Sequence, residues 1–243
     1  AHLFSGHAAT YAAFRPTYPL ALYDWLVSQL PAQTQAWDVG TGNGQVALAL
    51  ADRFAAVLAT DPSAEQLAAA PMHPRVTYRQ TTYDSGLPDA SVQLVTVGQA
   101  LHWFDLPVFF TELRRVMAPG AVFAAFAYVH SSVSPALDAV TRHYHDVTCG
   151  EHWVAEHHLI HQGYRTLDLP IREIAAPPFE LRATMTVAQY AGFFRSWSAT
   201  QRLLKAGGEP AVLAFEAALA DAWGDAAQRD VTWPLILRVG TLA

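Results

Sequence analysis

The sequence predicts an α/β fold built on a doubly wound parallel sheet. Three observations lead to it. Residues 36–39 read as a buried strand and residues 45–51 as the helix after it, with Gly40, Gly42 and Gly44 between them. A second buried strand, residues 55–60, ends in Asp61-Pro62-Ser63. Up to about Val129 strands and helices keep alternating, which implies right-handed crossovers and a parallel sheet.

The glycine turn organises the rest. Glycine permits positive φ and removes the Cβ that would block close approach of a ligand to the backbone. A turn running into a helix also presents unpaired N–H groups. The dinucleotide-binding pattern is G-x-G-x-x-G. Here the order is D-x-G-x-G-x-G, and Gln45 stands where that pattern has its third glycine. Asp38 would repel a pyrophosphate but suits an ammonium group. The expected ligand is a nucleoside with a cationic amine.

Composition limits the partners. The chain has 243 residues, 52% of them hydrophobic, with a formal net charge of −6. That length suits one α/β domain with additions. The negative balance, without a Lys/Arg run, argues against nucleic acid and anionic membranes. The single cysteine, Cys149, allows no intrachain disulfide, and no signal peptide or membrane span is evident. A cytoplasmic protein, monomeric or homodimeric, is expected.

In chain order, residues 8–14 and 20–30 read as helices parted by a proline-rich break. Tyr11, Arg15 and Tyr18 at this break either pack on the sheet or close over the cofactor. Asp61 suits a pair of ribose hydroxyls, the usual role of an acid about twenty residues past the turn. Residues 76–80 form the third strand, and Asp84, with Tyr83, follows where an adenine amino group could be read. The fourth strand, 92–97, runs into Gly98-Gln99-Ala100-Leu101-His102-Trp103, a polar and aromatic cluster where open α/β sheets bind ligands. Residues 106–117 form a helix and 121–128 the fifth strand. Beyond it, residues 134–149 and 151–162 read as helical, 171–179 as a strand, 186–197 and 210–223 as helices, and 231–239 as the last strand, irregular at Pro234. His157 and His161 share a helix face, but the H-E-x-x-H order is absent, and no metal is expected.

With these stretches in hand, the chain resembles the class I S-adenosylmethionine (SAM) dependent methyltransferases of the type 11 group. Residues 14–19 (FRPTYP), 99–105 (QALHWFD) and 196–201 (SWSATQ) are similar to the branch containing trans-aconitate methyltransferases. The resemblance implies a Rossmann-like seven-stranded sheet of order 3-2-1-4-5-7-6 with strand 7 antiparallel. It implies one domain over residues 1–243, capped by helices in 1–30, about 131–165 and 186–225. It also implies SAM as cofactor, with Asp38, Gly40 and Gly42 around the methionine moiety, Asp61 on the ribose, Tyr83 and Asp84 near adenine, and Gln99 near the reactive end; Gly44 and Pro62 are further candidates for cofactor binding. Gln93 and Ala121 depart from the residues usual in the group, and Tyr83 stands where a glutamate is common.

The function expected is methyl transfer to a small molecule, a carboxylate among the candidates. His102 is the candidate catalytic residue. It acts as base for a hydroxyl or amine acceptor, with the rate falling below about pH 6.5, or merely orients a carboxylate. Arg15, Arg142 or Arg195 would hold further carboxylates. Trp103, Tyr128, His130, Trp153 and Trp197 are expected to line the acceptor pocket. The rival readings are a non-catalytic SAM-binding protein and an NAD(P)-dependent oxidoreductase, the latter opposed by Gln45 and Asp38.

Overall fold

The computed structural model describes residues 16–243. The expected helix at 8–14, with Tyr11 and Arg15, lies outside the described residues.

Seven strands form one sheet in the order β3-β2-β1-β4-β5-β9-β6. They are β1 Gln35–Val39, β2 Ala56–Asp61, β3 Val76–Gln80, β4 Val92–Gly98, β5 Met117–Ala127, β6 Ile171–Glu173 and β9 Ile236–Leu242. The first five pair in parallel, while β9 runs antiparallel to both β5 and β6. This is the expected topology. Helices α1 Leu20–Ser28, α2 Gln45–Ala51, α3 Ala64–Ala68 and α4 Leu106–Val116 belong to this half of the chain.

The central strands β1, β2, β4 and β5 are buried along most of their length without alternation because both sheet faces are covered there. Along β5, Val122, Ala124 and Phe126 pack with Leu22, Leu26, Val46 and Leu50 from α1 and α2. The intervening Phe123, Ala125 and Ala127 pack with Phe109, Leu113 and Val116 of α4. Caps begin the helices where the sequence offers them: the Asp105 side chain accepts from the Val108 N–H, and the Ser63 side chain from the Gln66 N–H.

The second half adds β6 and β9 to the sheet and a further set of helices and turns. It contains α5 Pro135–His143, which widens from α-helical to i→i+5 hydrogen bonding in a π-turn at Tyr144–Thr148, then α6 His158–His161, α7 Val187–Arg195, α8 Ser198–Lys205 and α9 Glu209–Trp223. A separate antiparallel pair, β7 Glu180–Met185 and β8 Arg229–Pro234, completes this half.

Three expectations are corrected here. Residues 231–239 are not one strand: β8 and β9 belong to different sheets, and Leu235 alone links them. Pro234 has no N–H to donate, so the ladder stops there. The strand expected over 171–179 is confined to β6, because Pro177-Pro178 end any regular pairing before β7. Residues 151–162 are not one helix, since Trp153 and Val154 adopt extended backbone between short 3₁₀ turns. Among the described residues, no helix is long and apolar enough to cross a membrane.

Candidate active site

Beyond the C-terminal ends of the strands lie two adjoining cavities, of about 440 and 70 Å³. Gln99, Trp103 and Tyr128 line both and form the wall between them.

The larger cavity is built on the glycine turn. Gly40, Gly42 and Gly44 have φ of 69, 56 and 84°. A Cβ at Gly40 would stand 2.7 Å from the Ala100 Cβ, so the turn closes on the loop after β4. A Cβ at Gly42 would meet only Gln66 Oε1, at 3.9 Å; it would point into the cavity instead. Asp61 secures this turn from the end of β2. Its Oδ2 accepts the Gly42 N–H at 2.9 Å, and its Oδ1 accepts the Ser63 N–H at 2.8 Å. Each oxygen retains a lone pair for a hydroxyl donor. Burial raises the Asp61 pKa, opposed by these two N–H groups.

Gln66 also lines this cavity and was not anticipated. Its Oε1 is buried without a hydrogen-bond partner, an orphan acceptor that a ligand's polar hydrogen would satisfy. Nothing local distinguishes it; only its place in α3, behind the Asp61 loop, brings it to the wall. The open Gly42 cradle, the Asp61 carboxylate and the orphan Gln66 oxygen fit a nucleoside such as that of SAM.

Other expected residues stand elsewhere. Asp38 is 1% exposed, and its two oxygens accept the hydroxyls of Thr41 at 2.5 Å and Thr96 at 2.7 Å. It therefore ties the turn to β4 rather than facing the cavity. Burial pushes its carboxyl up to about 7. Gly44 is also absent from the lining. Asp84 is exposed and accepts the Gly86 N–H in its own loop, whereas Thr82 and Tyr83 reach the cavity. The Tyr83 hydroxyl accepts the Asp105 N–H at 2.6 Å. Pro62 lines the cavity beside Asp61.

The smaller cavity is walled by His102, Trp103, Tyr128, His145, Trp153, His157 and Trp197. His102 is 7% exposed, and its Nδ1 lies 3.1 Å from the Tyr164 hydroxyl. Burial alone pulls its pKa down to about 4. The ordinary imidazole value assumed from sequence does not apply, and the ring is neutral across the physiological range. His130 is outside this lining; its ring packs against His145 and His161, with centroids 4.8 and 5.4 Å apart. Arg195 is committed to Glu216 and Glu209, and Arg142 is exposed away from both cavities. Among the described residues neither cavity is lined by Lys or Arg.

Similarity to known proteins agrees with this geometry. Residues 37–125 match the family described as "Methyltransferase domain". A solved structure of a candidate type II methyltransferase from Anaeromyxobacter dehalogenans is 42% identical, covers 93% of this chain and 97% of its own, and superposes with a TM-score of 0.86. A candidate methyltransferase of Dictyostelium discoideum is 29% identical over 96% of this chain and 92% of its own. An uncharacterised methyltransferase of Mycobacterium tuberculosis is 37% identical, but over only 48% of each chain. The chain belongs to the class I SAM-dependent methyltransferases, and SAM is its cofactor.

Proposed function

We propose that the chain methylates a small molecule held in the His102–Trp197 cavity, with SAM in the larger cavity beyond the Gln99–Trp103–Tyr128 wall. The observation that carries this reading is the shared wall, which sets two ligand spaces side by side at the strand ends. When bound, SAM supplies a methyl group already activated on a sulfonium. The residues then need only align the acceptor and exclude water.

Gly42 would admit the cofactor backbone with Gly40 lining the cavity beside it, Asp61 would accept ribose hydroxyls, and Tyr83 would flank adenine. His102 is neutral but weakly basic, and a base with a pKa near 4 is poorly matched to removing an alcohol proton at neutral pH. This favours an acceptor atom that is nucleophilic without prior deprotonation. A carboxylate is the leading type, with His102 orienting it. An acceptor bearing several carboxylates would need Arg15, since Arg195 is already paired.

Calorimetry with SAM and a methyl-acceptor screen test this. The expected result is SAM binding that is lost in Gly42→Val, together with turnover on a small carboxylic acid by the wild type. Gly42→Val places a branched side chain in the cradle at a φ of 56°. Normal SAM binding by a folded Gly42→Val variant removes the cradle from the reading. SAM binding without turnover across the screen favours the non-catalytic alternative.

A further inference from the structure

Three histidines that are scattered in sequence converge at one point beside the smaller cavity. His145 lies in the π-turn after α5, His157 in a 3₁₀ turn, and His161 at the end of α6. His145 Nε2 is 3.3 Å from His157 Nε2 and 3.1 Å from His161 Nε2. A single ligand nitrogen from each falls within 4.8 Å of the others.

Proton bookkeeping at this point is in conflict without a further partner. His145 Nδ1 lies 2.6 Å from the Asp146 carboxylate, so Nδ1 carries the proton and Nε2 is left with one lone pair. Two other Nε2 atoms press on that lone pair, and one lone pair accepts only one N–H well. Charging the group is opposed by burial, since His145 is only 4% exposed. A cation bound at the point of convergence resolves the conflict, because each histidine then offers a lone pair.

The geometry points to a divalent transition-metal site with His145, His157 and His161 as its ligands. A tetrahedral ion with metal–nitrogen bonds of about 2.0–2.1 Å spaces its ligand nitrogens by about 3.3–3.4 Å. The observed 3.1 and 3.3 Å come close to that. The supporting shell is also present. Asp146 orients His145 in the manner of carboxylate–histidine–metal sites. Trp153 stacks on the His157 ring at 3.7 Å and an interplanar angle of 5°, which fixes its direction. Burial grades from His145 through His157 to the exposed His161, giving an ion a path from solvent. All-imidazole ligation selects zinc, cobalt, nickel, copper or ferrous iron over magnesium and calcium. Three protein ligands leave a position open, and because His145 and His157 line the small cavity, an anionic oxygen or sulfur there is the class of ligand it would take.

The test uses the full chain, stripped with a chelator and titrated with Co(II). One equivalent should bind and give the intense visible bands of a four- or five-coordinate ion, displaceable by Zn(II). His157→Gln and His161→Gln should each weaken binding by more than about 100-fold, and Asp146→Asn by about 10–100-fold. SAM affinity, measured on the same samples, reports folding and the methyltransferase reading separately. His161 is at the exposed end, so His161→Gln is the variant most secure against misfolding. The site is overturned if Co(II) does not bind stoichiometrically or gives only the weak spectrum of a six-coordinate aquo ion. It is equally overturned if His161→Gln binds SAM normally and holds Co(II) as tightly as the wild type.

Discussion

The side chain of Gln99 and the backbone of Tyr128 hold each other by two hydrogen bonds. Gln99 Nε2 donates to the Tyr128 carbonyl at 3.1 Å, and the Tyr128 N–H donates to Gln99 Oε1 at 3.3 Å. The Gln99 N–H also donates to the Phe126 carbonyl at 2.8 Å. The ends of β4 and β5 are thereby joined, and with them the wall between the two cavities. Gln99 adopts a φ of 53°, a conformation that costs a non-glycine residue free energy and is retained here by these bonds.

Gln99→Ala should therefore lower stability by about 1–3 kcal/mol, because it removes both hydrogen bonds to the Tyr128 backbone while keeping the strained backbone. Gln99→Gly loses the same bonds but relieves the strain, so it should be the more stable of the two. Denaturant unfolding of both variants checks the order. An alanine variant as stable as the wild type would show that the pair contributes nothing.

Asp61→Ala should weaken SAM binding by about 1.5–3 kcal/mol, the usual worth of hydrogen bonds to a charged group. The carboxylate also holds the Gly42 N–H, so the Asn variant, which keeps one acceptor oxygen, should lose less. Calorimetric titration of both separates the contributions. Unchanged affinity in a folded alanine variant would exclude the ribose role.

Asp38 should make the protein less stable as pH rises through neutrality. Folding raises its pKa from 3.8 to about 7, so the folded chain binds this proton more tightly than the unfolded chain. The corresponding stability is complete below the unfolded value and is lost as pH climbs towards and through about 7. Asp38→Asn keeps a neutral group between Thr41 and Thr96. Its unfolding midpoint should decline less than that of the wild type between pH 6 and 8, and equal slopes would refute this.

His102 should impose no titration on turnover in the neutral range. With its pKa lowered to about 4, the ring gains a proton only near that pH, and the rate on the true acceptor should stay flat from pH 8 to about 5.5. His102→Ala should reduce turnover less than about a hundredfold if the ring orients the acceptor. SAM affinity should change by less than about 1 kcal/mol, because His102 lines only the acceptor cavity. A wild-type rate that falls through pH 6.5 would instead mark His102 as a base of ordinary pKa.

Local chemistry alone made the first half of the chain legible. Glycines 40, 42 and 44 needed positive φ, Asp61 ended a buried strand at a fixed distance from them, and largely apolar segments marked the central strands. These signals lie within a few residues of one another, so spacing carries them. What only the tertiary structure decided depends on contacts between distant segments. Asp38 is withdrawn from the cavity by Thr96, 58 residues on, and Gln66 reaches the wall because α3 packs behind the Asp61 loop. His145 meets residues 12 and 16 positions later because the π-turn and the break at Trp153–Val154 fold the segment back on itself. The division of residues 231–239 between two sheets follows the same reasoning. A proline marks where a ladder stops, but which sheet receives each half is set by the surfaces left to cover.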